Sequence, residues 1–250
     1  MSLCPGDYRE SHASEGYGGR YVKTYSEGYY HHQWLTLEEP LLQGLLRARR
    51  EAGATRLLDF ACGTGRILGS GSAIFDAPTG IDVSDSMLEI ARESYPGANI
   101  FRHDITREPF EGSFDVITAF RFFLNAQPEL RSDVLTALRP LLAPSGRLIA
   151  NVHVNATSPL GMAYRVRNAL KRRTVANTLS FHQFESTLVK HGFEVEDTYW
   201  YSYLPRPGWY FGGAVGSLLL PVERVCRVLP VPRQTAQSFM VVARRSDSPG

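Results

Sequence analysis

The sequence predicts an α/β protein with helices covering both faces of a mostly parallel sheet, on three observations. Arg56 to Arg66, Arg-Leu-Leu-Asp-Phe-Ala-Cys-Gly-Thr-Gly-Arg, reads as a strand that breaks into a glycine turn and then a helix. Leu57, Leu58, Phe60 and Ala61 give that strand an apolar character on both faces, as a covered parallel sheet requires. Strand-like and helix-like runs then alternate as far as Val154.

Composition sets the outer limits. A chain of 250 residues, 43% hydrophobic and 21% charged, holds one such domain with room for insertions. A formal net charge of +2 gives no general attraction to nucleic acid, so any basic patch must be local. Cys4, Cys62 and Cys226 form no CxxC pair, which argues against a disulfide framework or a tetrahedral zinc site and for a reducing, cytoplasmic setting. The first thirty residues lack the apolar core of a secretory signal, and the longest apolar run, Trp209 to Pro221, is shorter than the ~20 residues a membrane crossing takes.

Taken in order, residues 1–35 form a tyrosine-rich segment with too few aliphatics to fold alone and enough aromatic surface to lie over a cleft. Residues 36–250 form the main domain, with insertions at about 157–178 and 204–234. His31 and His32 are neighbours whose side chains diverge, and nothing at ligand spacing partners them, so they read as surface or substrate-facing residues and no metal is expected. Thr36 with Glu39 predicts a capping box, Pro40 fits a first turn, and Leu41, Leu42, Leu45 and Leu46 form the buried stripe of a helix ending near Gly53.

After the glycine turn a short helix is expected from Arg66, weakened by Gly69 and Gly71. Gly80 to Ser84 is the second strand and ends in Asp82. Asp85 to Tyr95 is a helix with Met87, Leu88 and Ala91 inward, and Phe101 to Ile105 follows a third strand and carries Asp104. Phe114 to Phe120 is the fourth strand, running into Arg121 and Asn125, with a helix from Glu129 to about Leu142 behind it. Leu148 to Val154 is the fifth, and its alternation sets Asn151, His153 and Asn155 on one face. A basic helix follows, bearing Arg165, Arg167, Lys171, Arg172 and Arg173, with Met162, Val166, Ala169 and Leu170 giving it an apolar side; the charge run reads as a solvated face or as a site for an anionic acceptor group. Ser180 with Gln183 caps a helix through Lys190, Val195 to Tyr203 is the sixth strand, and Ser238 to Arg244 the seventh. Between these two strands lies the apolar insert Leu204 to Pro232, in which Pro221 starts a short helix.

The chemistry rests on spacing. The dinucleotide fingerprint needs a third small residue where Leu68 stands, which disfavours a nicotinamide cofactor. Asp59-x-Ala61-x-Gly63-x-Gly65 instead resembles the first motif of class I S-adenosylmethionine-dependent methyltransferases, in which Ala often replaces the first glycine. Asp82, Asp104 and the fourth strand follow in the family's order and spacing, and the resemblance covers about Thr36 to Val154. It implies a three-layer Rossmann-like sheet with an antiparallel last strand, S-adenosyl-L-methionine as cofactor and S-adenosyl-L-homocysteine as product. It implies Gly63 and Gly65 under the methionine portion, Asp82 at the ribose, Asp104 at the adenine amino group and Met87 beside the adenine. Asp59, Ala61, Val83, Ile105 and Phe120 complete the expected cofactor site, and Cys62 becomes a turn residue rather than a nucleophile. The N-terminal segment resembles one that covers the cofactor in related enzymes.

The expected reaction is methyl transfer to oxygen or nitrogen of a small-molecule acceptor, with His153 as general base and Arg121 and Asn125 orienting the acceptor. A core histidine satisfied by backbone is the other reading of His153. An RNA or protein acceptor and a non-catalytic, cofactor-binding interaction protein are the alternatives. The 204–232 insert is expected to form a homodimer contact or a wall of the acceptor pocket; Glu223 beside Arg224 and Arg227 argues against a membrane there.

Overall fold

The computed structural model describes residue 19 and residues 28–170, 178–204 and 218–246. Its strands are β1 (Leu57–Phe60), β2 (Thr79–Asp82), β3 (Asn99–Arg102), β4 (Phe114–Ala119), β5 (Leu142–Val152), β6 (Phe193–Tyr201) and β7 (Ser238–Arg245). They form one sheet in the order β3-β2-β1-β4-β5-β7-β6. The first five run parallel, and β7 enters antiparallel between β5 and β6, as expected for the last strand. The carboxyl ends of β1, β2, β4 and β5 therefore share one rim, where open α/β sheets bind ligands.

Side chains from alternate strand positions feed two cores. Leu58, Ile117, Leu148 and Val241 pack with α5 (Pro128–Leu138) and α7 (Phe181–Lys190) on one face. Leu57, Val116, Ile149 and Met240 pack with α2 (Glu39–Glu51), α3 (Arg66–Ser72) and Leu219 on the other. Three layers follow directly from this alternation. The helix α4 (Asp85–Ser94) buries Met87, Leu88 and Ala91 as its stripe predicts, and Ser180 with Gln183 forms the full capping box of α7.

Three elements differ from expectation by more than a shift of a few residues at their ends. Thr36 caps nothing, because the chain is already helical from α1 (Gly28–Gln33) and runs through a π-helical stretch, Trp34–Glu38, into α2. Pro40 supplies the reason: it has no N–H to donate, and the wider turn brings the Glu39 N–H onto the Trp34 carbonyl instead. The fifth strand begins at Leu142 rather than Leu148, since Pro144-Ser145-Gly146 bulges out of the ladder between the pairs Phe114–Leu142 and Val116–Arg147. The helix α6 (Pro159–Leu170) turns its apolar stripe outward and buries Gly161 and Asn168.

In the 204–232 insert, residues 205–217 lie outside the described residues, as do Lys171, Arg172 and Arg173 of the basic run. The predicted helix is present as α8 (Leu219–Val228). Glu223 is buried there and accepts the Ser202 N–H at 3.0 Å, so its charge does not oppose Arg224 at the surface. Among the described residues no helix is long and apolar enough to cross a membrane.

Gly161 is the tightest joint of this rim: a Cβ there would run into the Asn155 carbonyl and the Ala156 Cα, backbone atoms that cannot step aside. Gly161→Ala is expected to cost about 2–3 kcal/mol of stability in urea unfolding. Gly44→Ala, in open space within α2, should be neutral or stabilising by up to about 1 kcal/mol.

Candidate active site

The turn after β1 passes through three left-handed residues, Ala61 (φ 55°), Gly63 (φ 54°) and Gly65 (φ 84°). Gly65 is needed twice over, for its φ and because a Cβ would sit 2.8 Å from the Tyr95 ring. Ala61 carries the strain of a non-glycine residue in this region, which costs about 1–2 kcal/mol. The carboxylate of Asp82 spans the turn, with Oδ2 accepting the Gly63 N–H at 2.8 Å and Oδ1 the Ser84 N–H at 2.9 Å. Met87 is buried beneath Gly63, Val83 is half-buried beside Asp82, and Ile105 is buried next to Asp104. Asp104 Oδ1 accepts from the Thr106 hydroxyl and amide, while Oδ2 faces Arg107 Nε at 3.3 Å.

Asp59 lies at the floor of the turn. Its Oδ1 accepts the Thr118 hydroxyl hydrogen bond at 2.8 Å, and its buried Oδ2 has no hydrogen-bond partner. Burial pushes its pKa up to about 7, with Asp82 adding to the rise; Thr118 and the Leu68 amide pull the other way, the amide without closing a hydrogen bond to Oδ2. The Cys62 thiol, also buried, is pushed well above its ordinary value by burial and then by Asp59 and Asp82. That makes it a poor nucleophile, as the reading of a turn residue requires.

The ends of β4 and β5 carry the second half of the rim. Phe120 is buried, and Arg121 follows it in the left-handed region at φ 59°. The Arg121 N–H donates to Asn151 Oδ1, and Asn125 Nδ2 donates to the Arg121 carbonyl, both at 2.8 Å. The guanidinium, 15% exposed, pairs with Glu38 at 3.4 Å and lies 6.0 Å from the centre of the Tyr30 ring. Glu38 is fully buried and also accepts from Gln33 Nε2 at 3.2 Å and the Tyr201 hydroxyl at 3.1 Å. His153 is half-buried, with Nδ1 out of water and without a hydrogen-bond partner, so it is not a core histidine satisfied by backbone. Burial and then the Arg121 charge pull its pKa down to about 3, so the ring is neutral at physiological pH.

The structure thus brings Arg121, Asn125 and His153 together, and adds Glu38 and Asn151, which hold Arg121, and Gln33 and Tyr201, which hold Glu38. One signal in the sequence pointed to Glu38: it stands in line with Leu42 and Leu46, both fully buried, and an acid in such a stripe needs a buried partner. A shallow hollow of about 350 Å³ lined by Phe101, Phe110 and Phe114 opens at the amino ends of β2, β3 and β4, away from this rim.

The arrangement suits a ligand with a cationic group for Asp59 Oδ2, a diol for Asp82 and a flat, partly polar ring near Met87 and Asp104. S-adenosylmethionine has all three, so the residues present fit it.

Residues 57–146 match the model of a methyltransferase domain. The demethylmenaquinone methyltransferase of Chlorobaculum tepidum is 30% identical over 166 residues, which cover 64% of this chain and 62% of that protein. The chain spans less than two thirds of the length of the curated relatives it matches, from 5% to 62%. Among solved structures, magnesium protoporphyrin IX methyltransferase from Synechocystis PCC 6803 with bound S-adenosylhomocysteine aligns with a TM-score of 0.65 at 16% identity, over 95% of this chain and 98% of that one. The [4+2]-cyclase SpnF aligns with a TM-score of 0.60 at 20% identity, over 92% and 96%. Identities this low speak for the fold alone, while the sequence match lies on the glycine turn and the strands around it. The motif, the strand order and the domain match agree: residues 57–146 match a methyltransferase domain, and the fold is the one seen in class I S-adenosylmethionine-dependent methyltransferases, which the chain resembles.

Proposed function

We propose that this chain transfers a methyl group from S-adenosyl-L-methionine to an oxygen or nitrogen of a small-molecule acceptor, leaving S-adenosyl-L-homocysteine. The observation that carries the reading is Asp59 Oδ2, buried and unpartnered beneath a left-handed turn that Asp82 spans. The bound cofactor supplies a methyl group on a sulfonium, open to in-line displacement. Asp59 holds its ammonium, Gly63 and Gly65 let the backbone approach it, and Ala61 and Phe120 bound its methionine end. Asp82 takes the ribose hydroxyls, and Val83, Met87, Asp104 and Ile105 enclose the adenine.

On the acceptor side, Arg121 and Asn125 orient the substrate and His153 takes the proton of a hydroxyl acceptor. Nδ1 is buried, so Nε2 is the nitrogen that performs this step, in the neutral ring that burial enforces. The small-molecule reading over RNA or protein draws support from Arg121, which is largely covered and held between Glu38 and Tyr30. Residues 1–35 act as a cover in this reading. Tyr30 beside Arg121, and the Tyr29 hydroxyl at 3.1 Å from Ser202 Oγ, favour that role. The 204–232 insert serves as a homodimer contact or pocket wall, with Val225 and Val228 exposed on α8, Leu229 exposed just after it, and Leu219 buried. A cytoplasmic site of action suits Cys62, buried and unbridged.

The first test is cofactor choice: S-adenosylhomocysteine should bind more tightly than NAD, and the reverse order would end the methyltransferase reading. In calorimetry Asp82→Ala should weaken S-adenosylhomocysteine by ~10- to 100-fold. Unfolding curves on the same variant guard against loss of the turn itself.

His153→Ala should lower kcat ~100- to 10,000-fold on a hydroxyl acceptor, with S-adenosylhomocysteine affinity within about twofold of wild type. Unchanged turnover would remove His153 from the chemistry and point to an amine acceptor.

Asp59 sets a pH dependence. Its pKa of about 7 means that below neutrality a proton must leave before the carboxylate can face an ammonium. Affinity for S-adenosylhomocysteine should therefore rise with pH up to about 7, by as much as about tenfold per unit, and then level off. Asp59→Asn should flatten that profile, and a variant that keeps the slope would assign it elsewhere.

A further inference from the structure

The helix α6 is mounted with its apolar side out. Gly161 and Asn168 are its buried residues, whereas Met162, Val166 and Leu170 are 51%, 62% and 81% exposed. Their spacing of four residues lines them up as one stripe along a twelve-residue helix about 18 Å long. Ala163 and Ala169, also exposed, widen it. Arg165 and Arg167 sit immediately before and after Val166, so each lies about 100° round the helix from the stripe's centre, one on either flank. Both are exposed, and the Arg167 guanidinium rests 4.6 Å from the centre of the Tyr164 ring. No Asp or Glu occurs in the sequence between Asp133 and Glu185. The helix thus presents a positive face with an aliphatic centre, and no carboxylate of its own stretch of chain accompanies it.

Three occupants of such a face differ in what they would leave unsatisfied. A second copy of this chain meeting it across a two-fold axis would set Arg165 and Arg167 against their own counterparts, with no carboxylate from this stretch of chain to neutralise them. A nucleic acid would satisfy the arginines and leave Met162, Val166 and Leu170 in water. An anionic lipid surface satisfies both at once. Aliphatic side chains enter the acyl boundary, and flanking arginines bury their stems while their heads reach lipid phosphates.

We propose that this face of α6 docks the protein on an anionic membrane surface. The helix starts shortly after the carboxyl end of β5, on the rim that carries His153 and Arg121, so docking brings that rim to the lipid boundary. The docking stands whether or not the chain transfers methyl groups; only an acceptor drawn from the membrane would rest on the methyltransferase reading.

The test is cosedimentation of the full chain with vesicles of phosphatidylcholine containing phosphatidylglycerol, against vesicles of phosphatidylcholine alone. Wild type should bind the anionic vesicles, bind the neutral ones far less, and release as salt is raised. Arg165→Gln with Arg167→Gln should weaken binding about 30-fold. Val166→Asp with Leu170→Asp should weaken it at least as much. All four side chains are exposed, so unfolding midpoints and S-adenosylhomocysteine affinity should match wild type in both variants. Equal binding to neutral and anionic vesicles, no binding to either, or full binding by either variant would overturn the proposal. It would also be overturned if the aspartate variant changed the mass in light scattering without lipid, which would assign the stripe to self-association. Loss of RNA binding in the glutamine variant with vesicle binding intact would assign the arginines to nucleic acid instead. Each readout is independent of turnover, so failure here would leave the methyltransferase reading untouched.

Discussion

The carboxylate of Asp82 is the tie on which the cofactor side depends. It holds the Gly63 amide with one oxygen and the Ser84 amide with the other, joining the turn after β1 to the start of α4. Without it, three left-handed residues within five would have to hold their own geometry, and Ala61 has no intrinsic preference for that region. The same sheet order that makes β1 and β2 neighbours puts the acid beside the turn, although the two are 19 residues apart in sequence. Strand pairing thus prepares the site before any ligand arrives.

A second tie organises the other half of the rim, and it is a buried ion pair. Glu38 and Arg121 lie at 3.4 Å with side chains 1% and 15% exposed, where desolvation offsets much of their attraction. Hydrogen bonds from Gln33 and Tyr201 to the same carboxylate make up the difference. The cluster gathers the helical N-terminal run, the end of β4 and the end of β6 at one point, which favours a single arrangement of Arg121 over several. It also sets the charge that His153 feels, so the arrangement of Arg121 bears on the protonation of its neighbour.

What could be read from the sequence was what depends on local chemistry. A glycine turn between a two-faced apolar strand and a helix has few alternatives, and Asp82 and Asp104 were legible as acids at strand ends. Thr36-x-x-Glu39 is an equally good local signal for a helix start, and it failed because Tyr29 is fixed by Ser202 and Leu204, more than 170 residues away in the chain, with the run already helical there. Glu38 pairs with Arg121 and Tyr201 at separations of 83 and 163, which no local window contains. The stripe of α6 was legible as a stripe but its direction was not. Periodicity reports that a helix has an apolar side; only the close seat of Gly161 on Asn155 shows that the other side faces in.

Asp59 and His153 carry opposite costs, and their linkage to pH shows how the site is maintained. Asp59 is raised from 3.8 to about 7, so between these values the folded chain holds a proton the unfolded chain has lost, and its contribution to stability falls as pH rises. His153 is lowered from 6.5 to about 3, so over that range the unfolded chain holds the extra proton, and its contribution grows as pH rises. From about pH 4 to 6.5 the two slopes oppose one another. Two groups can therefore be kept uncharged on one rim while the stability of the fold changes little with acidity across that range. Above it the histidine has nothing further to add, and the cost of an unpaired, ionising Asp59 stands alone.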